Sequence, residues 1–202
     1  MKEKPILFNG EMVRAILDGR KAQTRRVIKP QPVLVGSSWE WEPKGKIVYA
    51  SCWADGGIPA RLMPYGAPYQ VGQKLWVRET WVQVEAPLGN PIHKVVYRAD
   101  CRDSSGAYWS SIAEDPANVK WRPSIFMPKW ATRLWLEVTG VRAERVQDIS
   151  EDDAEAEGSD SVLHFSSIWD TINQARGLGW AVNPWCWCVS FRRKEHETEA
   201  VL

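Results

Sequence analysis

The chain is poor in the residues that build metal centres and disulfide frameworks. It has four cysteines (Cys52, Cys101, Cys186 and Cys188) and three histidines (His93, His164 and His196). No CxxC pair occurs, and no histidine stands at ligand spacing from a cysteine, which argues against a zinc site. No metal or other cofactor is expected. No apolar run is long enough to cross a bilayer, so no membrane partner is expected. The opening MKEKPILFNG lacks the apolar core of a secretory signal, and a cytoplasmic location with reduced thiols is the expectation. Net charge is only +1, so no global field draws in nucleic acid and any basic patch must be local. There are no internal repeats to suggest an array.

What the chain has instead is tryptophan, thirteen of them. Tryptophan fills cores, and it also stacks on flat rings such as bases. A hydrophobic share of 44% beside a charged share of 25% is that of a soluble globular protein. A chain of 202 residues makes one domain with generous insertions, or at most two small ones. The expectation is one domain over 1–192, with insertions at about 33–70 and 101–128. A polar tail over 193–202 follows.

Along the chain, ILFNGEMVRAILDGRK predicts a strand stub and a short helix. Asn9 is its N-cap, Met12, Val13, Ile16 and Leu17 form its apolar stripe, and Gly19 stops it. VGQKLWVRETWVQVE predicts a strand with Leu75, Val77, Glu79 and Trp81 on one face. KVVYRAD predicts another. TRLWLEVTGVRAERVQDI predicts a strand pair or one long bent strand, with a bulge at Gly140. ISEDDAEAEG predicts a short helix capped by Ser150 with Asp153 and closed by Gly158. A second helix over about 161–176 carries Val162, Phe165, Ile168, Trp169 and Ile172 on one side. WCWCVSFRR predicts a closing strand, with Trp185 and Trp187 on one face and Cys186 and Cys188 on the other. Strands in sequence with a few flanking helices point to an α+β protein built on a small mixed β-barrel.

The most informative stretch is GRKAQTRR, residues 19–26, which fits GxKxxxxR through Gly19, Lys21 and Arg26. With the helix before it, the VGQKLWVRETW strand, the ISEDDAEAEG helix and the aromatic last strand, it resembles the ASCH domains. These are relatives of the RNA-binding PUA barrels. The pieces span roughly residues 5–192 in the family's order, and the Trp-rich insertions are most similar to phage and prophage members. The resemblance implies a PUA-like α+β barrel of about five to seven strands with helices outside. It also implies an RNA or modified-nucleoside partner. One member of the family is an amidohydrolase that removes the acetyl group of 4-acetylcytidine. Its catalytic lysine and threonine correspond to Lys21 and Thr24, and its glutamate corresponds to Glu157.

The chemistry can be reasoned from the side chains alone. A threonine hydroxyl needs a base to become a nucleophile. A lysine serves as that base when burial or cationic neighbours weaken its hold on the proton, and Arg20, Arg25 and Arg26 are close to Lys21 in sequence. Glu157 falls in the last turn of its helix, where the dipole disfavours negative charge, which suits a proton shuttle. Thr24 would then be the nucleophile, Lys21 its activator and Glu157 the general acid/base. Arg26 would orient substrate or support an oxyanion. Lys21 and Thr24 face opposite sides of a regular strand, so the trio requires a turn or a helical loop at 20–24.

The same cations also have plainer readings, as a solvated basic face or as phosphate contacts. Glu79 is expected to be buried and paired with a cation, as a steadying ion pair or as part of a site. Trp121 and Trp130, in a predicted loop beside Arg122, Lys129 and Arg133, are candidates for stacking a base. Rival activities are a non-catalytic reader of RNA or modified DNA, a metal-independent ribonuclease, and a protein-binding module. Oligomeric state is not legible.

Overall fold

The structure, a computed structural model, describes residues 1–36, 38–45, 47–51, 66–84, 94–101 and 119–194. Cys52, His93, His196 and most of the two expected insertions and the expected tail lie outside the described residues. The chain divides into two compact units. One is built from 1–19, 74–136 and 193–202, and the other from 20–73 and 137–192.

In the first unit, strand β1 (Lys4–Leu7) pairs in parallel with β6 (Lys74–Arg78), and β7 (Trp81–Val84) pairs antiparallel with β8 (Lys94–Tyr97). Helix α1 (Gly10–Leu17) starts where the sequence places it. The Asn9 side chain accepts the Met12 N–H at 2.8 Å, which satisfies one of the open donors of the first turn. Val13, Ala15 and Ile16 are buried. Gly19, at φ 77°, supplies the left-handed turn that ends the segment. The expected VGQKLWVRETWVQVE strand is two strands with a break at Glu79–Thr80. Glu79 leaves the ladder, its N–H directed to Met127 Sδ at 3.3 Å.

In the second unit, β9 (Trp135–Arg145), β10 (Trp185–Lys194) and β2 (Gln23–Val27) are neighbours in that order, β9 and β10 each running at one end into the first unit. β9 is one long strand. The pairing of β10 with β2 is antiparallel and sets Cys188 opposite Arg25 and Val189 opposite Thr24. A second sheet, β3 (Val33–Val35), β4 (Ser38–Trp41) and β5 (Val48–Ser51), is antiparallel and occupies part of the first expected insertion. Helices α2 (Glu151–Ala156) and α3 (Val162–Asn173) carry the expected Ser150 cap and an apolar stripe on Phe165 and Trp169. The α3 segment closes at Gly177, φ 71°.

Residues 185–189 of this strand, WCWCV, are buried on both faces, which explains why that stretch is apolar throughout. On one face Trp185 meets Trp39 edge-on at 5.4 Å, and Trp187 meets Trp41 at 5.8 Å. The i, i+2 spacing of β4 thus matches that of β10, and each such pair contributes about 0.5–1.5 kcal/mol beyond its burial. On the other face Cys186 packs with Val146, Ile149, Ala154, Phe165 and Trp169. The strand is scaffold, and both of its tryptophans are core. Gly66 belongs to this packing. A Cβ there would lie 1.9 Å from Trp41 Cη2, and Trp41 is pinned by a 2.9 Å hydrogen bond from its Nε1 to the Pro30 carbonyl. Gly66→Ala is therefore expected to cost about 1–3 kcal/mol through overpacking, read as a lowered urea midpoint with an unchanged slope.

The α+β class expected from the sequence is what the structure shows. The expected closed barrel is not found among the described residues, whose strands form open sheets. Just before β2 the Ala22 N–H donates to the Ala156 carbonyl at the end of α2. No helix among the described residues is long and apolar enough to cross a membrane.

Candidate functional site

The chain turns at Asp18–Gly19, one residue before the segment that was expected to turn. The expected turn or helical loop at 20–24 is absent: Lys21 makes an isolated bridge to Glu157, and a regular strand begins at Gln23. Extended backbone puts alternate side chains on one face, and Lys21, Gln23 and Arg25 all reach the same group of carboxylates. Those carboxylates come from α2, where Asp153 and Glu157 stand four residues apart on one helix face, and from Glu144 on β9.

Lys21 is 3% exposed. Its Nζ donates to Glu157 Oε2 at 2.7 Å and to the Glu157 carbonyl, also at 2.7 Å. Two anchors on one residue fix the ammonium at the C-terminal end of α2, where the helix dipole is negative. Burial lowers the Lys21 pKa from the ordinary 10.5; Glu157 opposes that shift, and Arg26 and Arg25 add to it. The Glu157 carboxylate is shared, because Arg25 Nη1 donates to its Oε1 at 3.4 Å.

Arg25 is the hub beneath the pair. Its side chain is wholly buried, with Nη2 on Asp153 Oδ2 at 2.8 Å and on Glu144 Oε1, and Nη1 on Gln23 Oε1 at 2.5 Å. Arg142 joins from outside, donating to Glu144 Oε2 at 2.8 Å and to Asp153 Oδ2 at 2.5 Å. Burial would raise the Asp153 pKa, but hydrogen bonds from Gln23, Arg25 and Arg142 outweigh it and hold the carboxyl below its usual range. Three cations (Lys21, Arg25, Arg142) thus meet three carboxylates (Glu144, Asp153, Glu157). Such a cluster keeps its charges only while every partner stays in place.

The predicted residues divide between the two units. Lys21, Thr24, Arg20, Arg25, Arg26 and Glu157 belong to one, and Glu79, Trp121, Trp130 and Arg133 to the other. Lys21 and Glu157 are brought together. Thr24 is buried on β2, three residues beyond Lys21, and has no side-chain hydrogen bond to Lys21 or Glu157 among the described residues. Arg20 is exposed and Arg26 partly so. Burial lowers the Arg26 pKa against the pull of Tyr69 and Glu157, which makes Tyr69 a neighbour that no sequence signal marked.

Glu79, buried as expected, is held bidentate by Arg133 at 2.9 and 3.0 Å, and Arg133 Nη1 reaches Asp100 at 2.6 Å. That guanidinium lies 4.0 Å over the Tyr97 ring, so its fork and one face are already occupied. Trp121 is half buried beneath Arg98, while Trp130 is exposed and meets Trp81 edge-on at 5.9 Å.

Cys186 and Cys188 lie near Arg25, but burial raises both thiols, Cys188 to about 12 and Cys186 further. Such thiols stay protonated at neutral pH and make poor metal ligands or nucleophiles. No cluster of His, Cys, Asp and Glu suited to a metal ion is found among the described residues. The residues missed by sequence reasoning are Gln23, Arg142, Glu144 and Asp153. Two signals would have found half of them, Gln23 and Asp153: the i, i+2, i+4 set on β2 and the i, i+4 acids on α2.

No family model matches the chain, and no curated protein matches it. Among solved structures, the chain is similar to an Enterococcus faecalis V583 protein assigned to family DUF984. Identity is 12%, with 98% of this chain and 83% of that one covered, at a TM-score of 0.45. It is also similar to an ASCH domain from Lactobacillus crispatus JV V101, at 12% identity, with 96% and 81% covered and a TM-score of 0.43.

Proposed function

We propose that the Lys21–Glu157 pair is the proton-handling core of an amidohydrolase acting on an N-acylated cytosine of the 4-acetylcytidine type. The observation that carries this reading is the buried Lys21 Nζ held 2.7 Å from a carboxylate oxygen. A lysine whose hold on its proton is weakened by burial, with an acceptor in hydrogen-bond contact, can cycle between ammonium and free amine.

The Lys21 ammonium passes a proton to Glu157. The free amine takes the Thr24 hydroxyl proton as Oγ attacks the acyl carbon. The C–N bond breaks, and Glu157 gives its proton to the departing exocyclic nitrogen. Water then splits the acetyl ester, releasing acetate and restoring Thr24. Thr24 is buried on the face of β2 opposite to Lys21, so this step requires the segment 21–24 to rearrange locally when substrate binds.

The test of the nucleophile is to quench the reaction during turnover and map the acetyl group by peptide mass spectrometry. An acetyl ester on the peptide containing Thr24, lost in Thr24→Ala, is the expected result. Undiminished turnover by Thr24→Ala would remove Thr24 from the mechanism.

A further inference from the structure

The segment 119–133, VKWRPSIFMPKWATR, contains four cations and no acidic residue. It is tied down over most of its length. Arg122 and Trp81 exchange backbone hydrogen bonds at 2.8 and 3.2 Å, and two 3-10 turns follow, Ser124–Phe126 and Lys129–Ala131. Met127 and Ala131 are buried beside Trp81, and Arg78 Nη1 donates to the Ile125 carbonyl at 3.0 Å. This firmly anchored segment nevertheless turns three large apolar side chains outward: Phe126 is 71% exposed, Trp130 64% and Ile125 57%. Apolar side chains held out to water in a group mark an interaction site.

We infer that this segment is a stacking platform for single-stranded nucleic acid, with bases on the Phe126 and Trp130 rings and phosphates on Arg122 and its neighbouring lysines. The Arg122 guanidinium lies 5.2 Å from the Trp81 ring that Trp130 also meets, so a cation and an exposed aromatic ring flank one buried indole. A flat ring beside a cation is what a base and its adjoining phosphate require. Lys120 and Arg122 are exposed, and Lys129 is half exposed though paired with Glu3. Arg133, committed to Glu79 and Asp100, takes no part.

Charge selects this occupant. The segment contributes no acid of its own, and with Lys129 and Arg133 facing carboxylates, the exposed Lys120 and Arg122 beside the outward rings are what complement a polyanion carrying bases. Three apolar side chains are too few for the core of a standard protein interface, which buries roughly 800 Å² on each partner. The platform extends the proposed function from a nucleoside to a polymer, but it is read by binding and not by turnover.

The test is fluorescence anisotropy of a short labelled oligouridylate at two salt concentrations. Phe126→Ala, which removes an exposed ring and leaves the fold alone, is expected to weaken binding about tenfold, as does the loss of one base-stacking ring. Arg122→Ser is expected to flatten the salt dependence by about one charge. Wild-type affinity in Phe126→Ala would overturn the proposal. So would a wild-type dimer that Phe126→Ala converts to monomer in sedimentation, since the patch would then serve a second copy of the chain. Because free 4-acetylcytidine turnover is measured separately, loss of one reading leaves the other standing.

Discussion

Arg25→Met lowers the stability of the protein by about 3–5 kcal/mol, the cost of removing one partner from a buried ion cluster. Methionine keeps most of the side-chain volume, so the loss is electrostatic and not a cavity effect. Three carboxylates, Glu144, Asp153 and Glu157, lose their shared guanidinium, and the side chain of Arg25 is fully buried among them. The measurement is the urea midpoint at constant slope. Adding Glu157→Gln to Arg25→Met removes one uncompensated charge and is expected to recover part of the loss. A surface role for Arg25, as in phosphate binding, would leave the midpoint within about 0.5 kcal/mol of wild type.

The cluster also sets how stability depends on acid. The Asp153 carboxyl lies below its unfolded value of 3.8. Its contribution is therefore fully present above that value and is lost as pH falls through the folded pKa. Arg25→Met should shrink that loss, because it removes one of the hydrogen bonds that hold Asp153 ionised.

Lys21→Ala reduces hydrolysis about a hundred- to ten-thousandfold, the usual contribution of a positioned acid or base. In the wild type the reactive form is the Lys21–Glu157 pair that still holds one proton, the proton that ends on the leaving nitrogen. The rate therefore falls as pH rises through the Lys21 pKa, a limb that burial places below the ordinary lysine value of 10.5. Stability moves the opposite way. Between the folded and unfolded pKa values the unfolded chain holds a proton that the folded one lacks, so the Lys21 contribution grows as pH rises through that window. A rate limb at or above 10.5 would show that Lys21 is not the titrating base.

Much of this was legible in the sequence, for physical reasons. The helix at Gly10–Leu17 was marked by Asn9 and Gly19, residues whose capping and left-handed preferences act locally. The WCWC strand was marked by its length and alternation. Lys21 and Glu157 were paired only through a family resemblance, because 136 residues separate them and no local rule joins a strand to a helix end at that distance. A turn at 20–24 is what the convergence of Lys21 and Thr24 requires. The strand instead begins at Gln23, since Gln23 and Arg25 satisfy the α2 carboxylates only from alternate positions. The Arg25 hub was invisible as such: an arginine in GRKAQTRR reads as basic surface until the carboxylates of β9 and α2 are folded over it. The pairing of Arg133 with Glu79 and Asp100 was hidden for the same reason, because those carboxylates are distant in sequence and close in space.

The most direct test is mass spectrometry of 4-acetylcytidine, free and within RNA, incubated with wild type and with Lys21→Ala. Cytidine and acetate from the wild type, with none above background from Lys21→Ala, is the predicted result. No product from either protein on either substrate, or equal product from both, would contradict the assignment of hydrolysis to the Lys21–Glu157 pair.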